Sequence, residues 1–563
     1  MFRKIAPILL LIFIVFNSVC SVAQLTVEKI MRDPKWIGSS PSSPQWSQDD
    51  QYLYFNWNPD KALADSLYYI TISDKTPKKA NTRETQDFNS TGNSVYNLSR
   101  TAYVFTKDGD IFLMDTKTGR SKRITQTLDL ESAPRFSFNE TKVVYSRNQN
   151  LFAWDILGGE TIQLTNLRAT ETATAPPIRA GAGPMTRTSA GASGNTQQEE
   201  WMKADQIQYF QVLKERKDKR EKGEAYNKTL PKPKELRSIP IEDKILSGQN
   251  ISPDGRFVSY TLTKQAANAK ATIVPNYVTE SGFTTDIPTR TKVGAPQTVS
   301  EFFLYDRDRD TLIAIKTDSI PGIRDLPDYL KDYPKQMEER KKKNASRDVF
   351  FAGTSWSPKG TYVVFDIRSN DNKDRWLMRW DTVTRKLLLL DRQRDEAWIA
   401  GPGIGFARTG WINENTFWFQ SEATGYSHLY TINVGNGEKK ALTSGSYEVQ
   451  QAQLSLDKKS FYITTNEVHP GEQQFYRLSI PDGKKERITT MTGANQVTLS
   501  RDEKSIAIIY SYSNKPWELY LQENKVGGKI EQITNKAQSD EFKAYPWRAP
   551  EIVTFKARDG ATV

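Results

Sequence analysis

"HLYTINVGNGEKKALTSG", residues 428–445, alternates apolar and polar positions over "HLYTIN", turns at "GNGE" and closes in a short tag, "ALT". Near copies of that tag recur as "RIT" 123–125, "QLT" 163–165, "RIT" 487–489 and "QIT" 532–534. A strand ending that keeps returning along a chain marks a repeat architecture, so periodicity is read before chemistry.

A second element repeats with it, a Ser ahead of a turn rich in Asp, Asn, Gly or Lys and then alternating apolar residues. Its copies are "PQWSQDDQYLYF" (Ser47), "VYNLSRTAYVF" (Ser99), "PRFSFNETKVVY" (Ser137), "QNISPDGRFVSY" (Ser252), "TSWSPKGTYVVF" (Ser357), "AQLSLDKKSFYI" (Ser455) and "VTLSRDEKSIAII" (Ser500). "TGWINENTFWF" is a degenerate copy with Asn413 in the equivalent place, which makes eight units. In each unit one strand precedes the Ser and a tight turn and second strand follow it. A third strand such as "DIFLMD", "NLFAWD" or "WELYLQ" comes next, then a short fourth that ends in the tag. Four short strands repeated radially form a β-propeller blade, so the chain reads as an all-β, eight-bladed β-propeller.

Unequal spacing locates insertions. Ser137 to Ser252 spans 115 residues, against 45 from Ser455 to Ser500. The excess, at about 167–245, begins with the small-residue run "ATETATAPPIRAGAGPMTRTSAGASGNTQQ" and continues into "EEWMKADQIQYFQVLKERKDKREKGE". There Trp201, Ile207, Phe210 and Leu213 fall near helical spacing, so a helix follows a flexible arm. A second insertion, about 318–347, reads as a surface excursion with a short helix.

The 563 residues include 37% hydrophobic ones, enough for packed cores. Residues 1–23 have a basic start, the apolar run "APILLLIFIVF" and "SVA" before Gln24, the layout of a secretory signal peptide, so the chain is expected to be exported to the periplasm or beyond. A lipid anchor on Cys20 is the alternative, but "NSV" before it lacks the usual small residue. No later run is long enough to span a membrane after leader removal. Cys20 is the only cysteine, and His428 and His469 stand apart, so disulfides, thiolate chemistry and a zinc site are not expected, nor is any cofactor. The net charge of +11 sits largely in the insertions, and nucleic acid is not an expected partner of an exported chain.

Gly-x-Ser-x-Gly, the turn that lifts a nucleophile in α/β-hydrolases, is absent, and "GPGIGFARTG" at 401–410 lacks the GK[ST] of a phosphate loop. No complete catalytic constellation is legible. His428, Tyr426, Trp418 and Trp411 read as core residues from their alternation.

The eight units, "SEATGYSHLYTI" at 421–432, "SYSNKPWELYL" at 511–521 and "VTFKARDGATV" at 553–563 together resemble the N-terminal portion of a prolyl oligopeptidase-type serine peptidase, closest to the dipeptidyl peptidase IV-like branch. The resemblance covers roughly residues 30–563 and implies a propeller over 24–548, then an α/β-hydrolase domain, with Ser, Asp and His catalytic residues, whose first strand begins within 549–563. It implies cleavage of short peptides, after proline or alanine, by a full-length enzyme that can form a homodimer, while this chain alone, without the triad, is expected to be inactive. In that branch an acidic pair from a propeller insertion holds the substrate's free amino terminus. The candidates here are Glu199 and Glu200, the adjacent acidic pair at the head of the inserted helix. They lie about 50 residues before the Ser252 opener, farther than the family's pair, and acidic residues also favour helix N-termini on dipole grounds. The competing reading is a free-standing periplasmic scaffold of the TolB-like type, which should close its ring by pairing a terminal strand with the first blade.

Overall fold

The computed structural model describes residues 25–91, 93–169, 197–230, 235–292, 295–382, 384–405 and 408–563. The expected leader, Cys20 and most of the small-residue run at 169–198 lie outside them. Two compact units are present, one formed by Met1–Ile162 with Lys244–Val563 and the other by Gln163–Asp243.

The first unit is an eight-bladed β-propeller. Its blades are four-stranded antiparallel sheets over residues 42–79, 95–123, 131–163, 245–314, 349–394, 410–441, 449–487 and 494–532, each with strands in chain order and, in blade 4, a two-stranded ribbon between the second and third. Strand alternation sends one set of side chains into the space between neighbouring blades. Trp46, Leu53, Phe55 and Ile70 of blade 1 meet Ala507, Ile509, Leu519 and Leu521 of blade 8, and Phe302 and Leu304 of blade 4 meet Phe365 and Trp376 of blade 5. Burial of each such large side chain contributes about 1.5–3 kcal/mol, so the core is a ring of inter-blade layers.

The repeated Ser closes a turn. Its hydroxyl accepts from the amide five residues on at Ser47, Ser252, Ser357, Ser455 and Ser500, over 2.9–3.0 Å. In blade 2 this role belongs to Asn97, whose Oδ1 accepts from the Ala102 amide at 3.0 Å, so Ser99 is not the opener there. The tag threonine lies just past the fourth strand and satisfies a buried amide of the third. Thr125, Thr443, Thr489 and Thr534 accept from Ile111, Leu429, Phe475 and Leu519 at 2.8–3.0 Å.

A carboxylate from one opener turn latches the amides of its neighbour. Glu140 accepts from Leu98, Glu414 from Lys359 and Thr361, and Glu503 from Leu456. The seam between the last and first blades uses the same device, Asp50 accepting from Arg501 and Asp502 at 2.8 Å each. Blade 1 draws all four strands from residues 42–79, so the strand exchange expected of a free-standing scaffold is not how this ring closes.

Because the chain reverses at every turn, the opener and 3–4 turns share one face, and the 2–3 turns and inter-blade links share the other. Long segments gather on the second face. They are the 315–348 and 395–409 links, a ribbon of Ala271–Asn276 and Thr285–Thr291 inside blade 4, and the segments entering blade 1 and leaving blade 8. Those two segments clasp each other. Ser39 N donates to Lys536 O at 2.7 Å and Ser539 N to Ile37 O at 2.6 Å, Trp36 packs on Phe542 and Tyr545, and Arg32 pairs with Glu541. Gly38, at φ +145°, is required there, since a Cβ would lie 2.2 Å from Ala537 O.

The 318–347 excursion is more than surface. It buries Ile320, Ile323 and Leu330, and it is bound to blade 5 through Asp374, a buried carboxylate that accepts from Arg347 (2.6 Å), Arg392 (2.8 Å) and Arg394 (2.7 Å). Residues 555–563 pair with one another, Phe555 and Val563 exchanging bonds of 3.0 and 2.9 Å.

In the second unit, Leu167–Arg168 pairs in parallel with Ile239–Pro240, and the expected single helix is two, Gln197–Tyr209 and Gln211–Thr229, broken at extended Phe210. Trp201 and Phe210 are exposed. Among the described residues no helix is long and apolar enough to cross a membrane.

Candidate functional site

Glu199 and Glu200 fall in the first turn of the Gln197–Tyr209 helix, both exposed. Acidic side chains in the first turn of a helix stabilise it through the helix dipole.

On the propeller, the elaborated face of blades 5 to 7 carries a group of acids that the sequence reading passed over. Glu422 follows the second strand of blade 6, Glu448 lies in the link to blade 7, and Asp395 begins the 395–409 link. Burial pushes the Glu422 carboxyl up, and the negative charges of Glu448 and Asp395 push it further, against one bond from the Gly401 amide. Gly401 and Gly403 of "GPGIG" let the backbone close over this region. A Cβ on either would lie 1.8 Å from a side-chain oxygen, of Glu422 and Gln420 respectively. The motif is therefore a packing device, consistent with its missing phosphate-loop residues. Trp398 and Tyr426 stand beside it in sequence at 51% and 38% exposure, which corrects the reading of Tyr426 as core, whereas Trp418 is buried.

Beneath this face a buried ion pair of blade 5 is hydrogen-bonded to a backbone carbonyl of blade 6. Arg375, fully buried, donates to Asp366 from Nε (2.9 Å) and Nη2 (2.8 Å) and to Gln420 O from Nη1 (2.8 Å). Arg368 reaches Asp366 and the carbonyl of Ile404, tying down the glycine-rich link. Such a network fixes loop positions more than it adds net stability, because desolvation offsets most of the attraction.

His428 is structural. It is 1% exposed, its Nδ1 lies 3.0 Å from the tag hydroxyl of Thr443 and its Nε2 2.9 Å from Gly445 O. Thr443 Oγ1 already accepts from the Leu429 amide, so it donates to Nδ1, and Nε2 carries the ring proton to the carbonyl. Asp110, Gln474 and Glu518 take the same place opposite their own tag threonines.

The family model for the dipeptidyl peptidase IV (DPP IV) N-terminal region matches residues 99–174 and 242–517, more than half of the chain, and passes over most of the inserted unit. The chain belongs to this family.

Among curated proteins, this DPP IV N-terminal-region chain is 24% identical over 293 residues to dipeptidyl peptidase 4 of Trichophyton equinum, covering 46% of this chain and 37% of that protein. It is 30% identical over 176 residues to dipeptidyl peptidase 4 of Arthroderma otae, covering 30% and 22%. Its matched stretch thus spans little more than a third of the length of the first of these relatives. The crystal structure of Porphyromonas gingivalis dipeptidyl peptidase 4 shares the fold, with a TM-score of 0.51 at 12% identity, over 96% of this chain and 66% of that one.

Proposed function

We propose that this chain is the substrate-gating propeller portion of an exported serine peptidase that cuts short peptides after proline or alanine. The observation that carries the reading is the family match laid over a propeller whose long segments share one face. A catalytic domain continuing past residue 548 would be joined at that face, where the clasp between residues 36–39 and 536–545 holds the exit of blade 8. Since the chain has no Gly-x-Ser-x-Gly, the Ser, Asp and His are assigned to sequence beyond it. The ring then acts by size, admitting short peptides and turning away folded proteins. Glu199 and Glu200 are the residues proposed to hold the substrate's amino terminus.

The test uses chromogenic Gly-Pro and Ala-Pro dipeptides. The 24–563 polypeptide should show no turnover, and the full-length protein should release the chromophore. Changing Glu199→Gln and Glu200→Gln together in the full-length protein should lower kcat/KM on free dipeptidyl substrates at least about tenfold, as expected for a lost charge-assisted pair. Unchanged kinetics would return both residues to the helix alone, and turnover by the 24–563 polypeptide itself would overturn the assignment of the triad.

A further inference from the structure

A cavity of about 430 Å³ opens between blades 1 and 2, away from the elaborated face residues described above. It arises from strand alternation. In the second strand of blade 1, Tyr52–Trp57, residues 53, 55 and 57 are buried and Tyr52 and Tyr54 point the other way. The facing first strand of blade 2 is only Val95–Tyr96, so the gap is lined by Tyr52, Tyr54, Tyr103 and Phe88, the last from the linking helix Thr82–Thr91. Tyr54 and Phe88 have ring centroids 4.6 Å apart, and Tyr52 stacks on Tyr54 at 5.9 Å.

Three carboxylates, Asp49, Asp87 and Asp115, share the lining, and no lysine or arginine does, in a chain of net charge +11. Asp49 takes its bonds from Ser47 Oγ (2.5 Å) and the Gln51 amide (3.1 Å) on the one oxygen Oδ1, and Asp87 is held by Lys107 at 3.0 Å. The Tyr54 hydroxyl is pushed up to about 12, first by burial and then by the neighbouring phenols Tyr52 and Tyr69 and carboxylates Glu84 and Asp49. Besides Lys107, the cations near the lining are Arg501, whose charge acts at Tyr103, and Lys117, whose charge acts at Asp115.

Aromatic faces attract a desolvated organic cation, and carboxylates accept its N–H bonds. We propose that this cavity binds an alkylammonium group, the end of a lysine side chain or of a free primary amine. The volume of about 430 Å³ holds a four- or five-carbon amine with room for the rest of a lysine residue. An anion would meet Asp49 and Asp115, with Asp87 already paired to Lys107, and a neutral alcohol of similar length would forgo the attraction of both the rings and the charges.

The experiment is saturation-transfer NMR and calorimetric titration of the 25–563 chain with n-butylammonium, Nα-acetyl-lysine amide and, as the neutral analogue, n-pentanol. The cations are expected to bind and n-pentanol at least about fivefold more weakly, and Asp49→Asn and Tyr52→Ala should each weaken the cations about fivefold or more with the melting temperature kept. Equal binding of both cations would point to the ammonium group alone as the determinant, and binding of the lysine amide only would make a peptide the source. Pentanol binding as well as the amines, no binding of either amine, or unchanged affinity in both variants would overturn the proposal.

Discussion

A methyl-sized change at one residue decides several features of this chain. Gly38, Gly401 and Gly403 are each approached by an oxygen to within 1.8–2.2 Å of where a Cβ would stand, and Gly38 (φ +145°) and Gly403 (φ +72°) also hold a backbone conformation that favours glycine. Glu422 shows the corresponding electrostatic constraint. Below the ordinary carboxylate value of 4.5 it is protonated in folded and unfolded chains alike. As pH rises past that value the unfolded chain ionises first, so stability falls until the raised folded carboxyl ionises as well. Glu422→Gln keeps an acceptor for the Gly401 amide and removes that loss. Its melting temperature should equal that of the parent near pH 4 and exceed it by about 1–2 °C near pH 7.5. A thermal melt series across pH checks this, and an equal or lower value at the higher pH would show that burial and the charges of Glu448 and Asp395 do not raise the folded carboxyl.

Blades are elements that pack without sharing strands, so their turns must hold the seams. Four seams use a carboxylate that accepts from backbone amides of the neighbouring turn. Asp50 does so at the ring closure with φ +57°, a conformation that Asn tolerates and Ala does not favour. Asp50→Ala should therefore cost about 1–2 kcal/mol, from the part-buried Arg501 amide and the exposed Asp502 amide losing their acceptor, while Asp50→Asn should retain more than half of that stability. Denaturant melts of the two variants are the check, and equal losses would show that charge, not acceptor geometry, closes the ring. The pattern of this latch was hidden in the sequence, since Glu140, Glu414 and Glu503 look like ordinary polar turn residues. Only the neighbouring amides give them a partner. The openers and tags were legible because each acts within its own blade, Ser47 on Tyr52 and Thr489 on Phe475, at a fixed offset along the chain.

At the scale of the molecule, the chain is a propeller with one face elaborated and a separate compact unit, Gln163–Asp243, inserted between blades 3 and 4. The two-stranded pair of Leu167–Arg168 with Ile239–Pro240 forms the stem of that insertion. Replacing residues 170–236 with a short Gly-Ser linker should leave the propeller folded with its melting temperature within about 2 °C, because little apolar surface of the inserted helices is buried. A drop of tens of degrees would mean that the insertion helps to hold the ring. The same variant in the full-length protein separates the roles of Glu199 and Glu200 from everything the propeller does.

Alternating strands, turn-closing serines and tag threonines act within one blade, and they determined the propeller and its blade count from the sequence alone, while the family rested on resemblance at 421–432, 511–521 and 553–563. Which acids meet was decided only by the tertiary structure. Glu422 and Glu448 are 26 positions apart and Asp395 farther still, and Asp374 gathers three arginines from two segments. Charge acts through space, so residues brought together by blade packing leave no periodic trace in the chain. The aromatic cavity between blades 1 and 2 follows the same rule, since Tyr52 and Tyr103 become neighbours only when two sheets stand side by side.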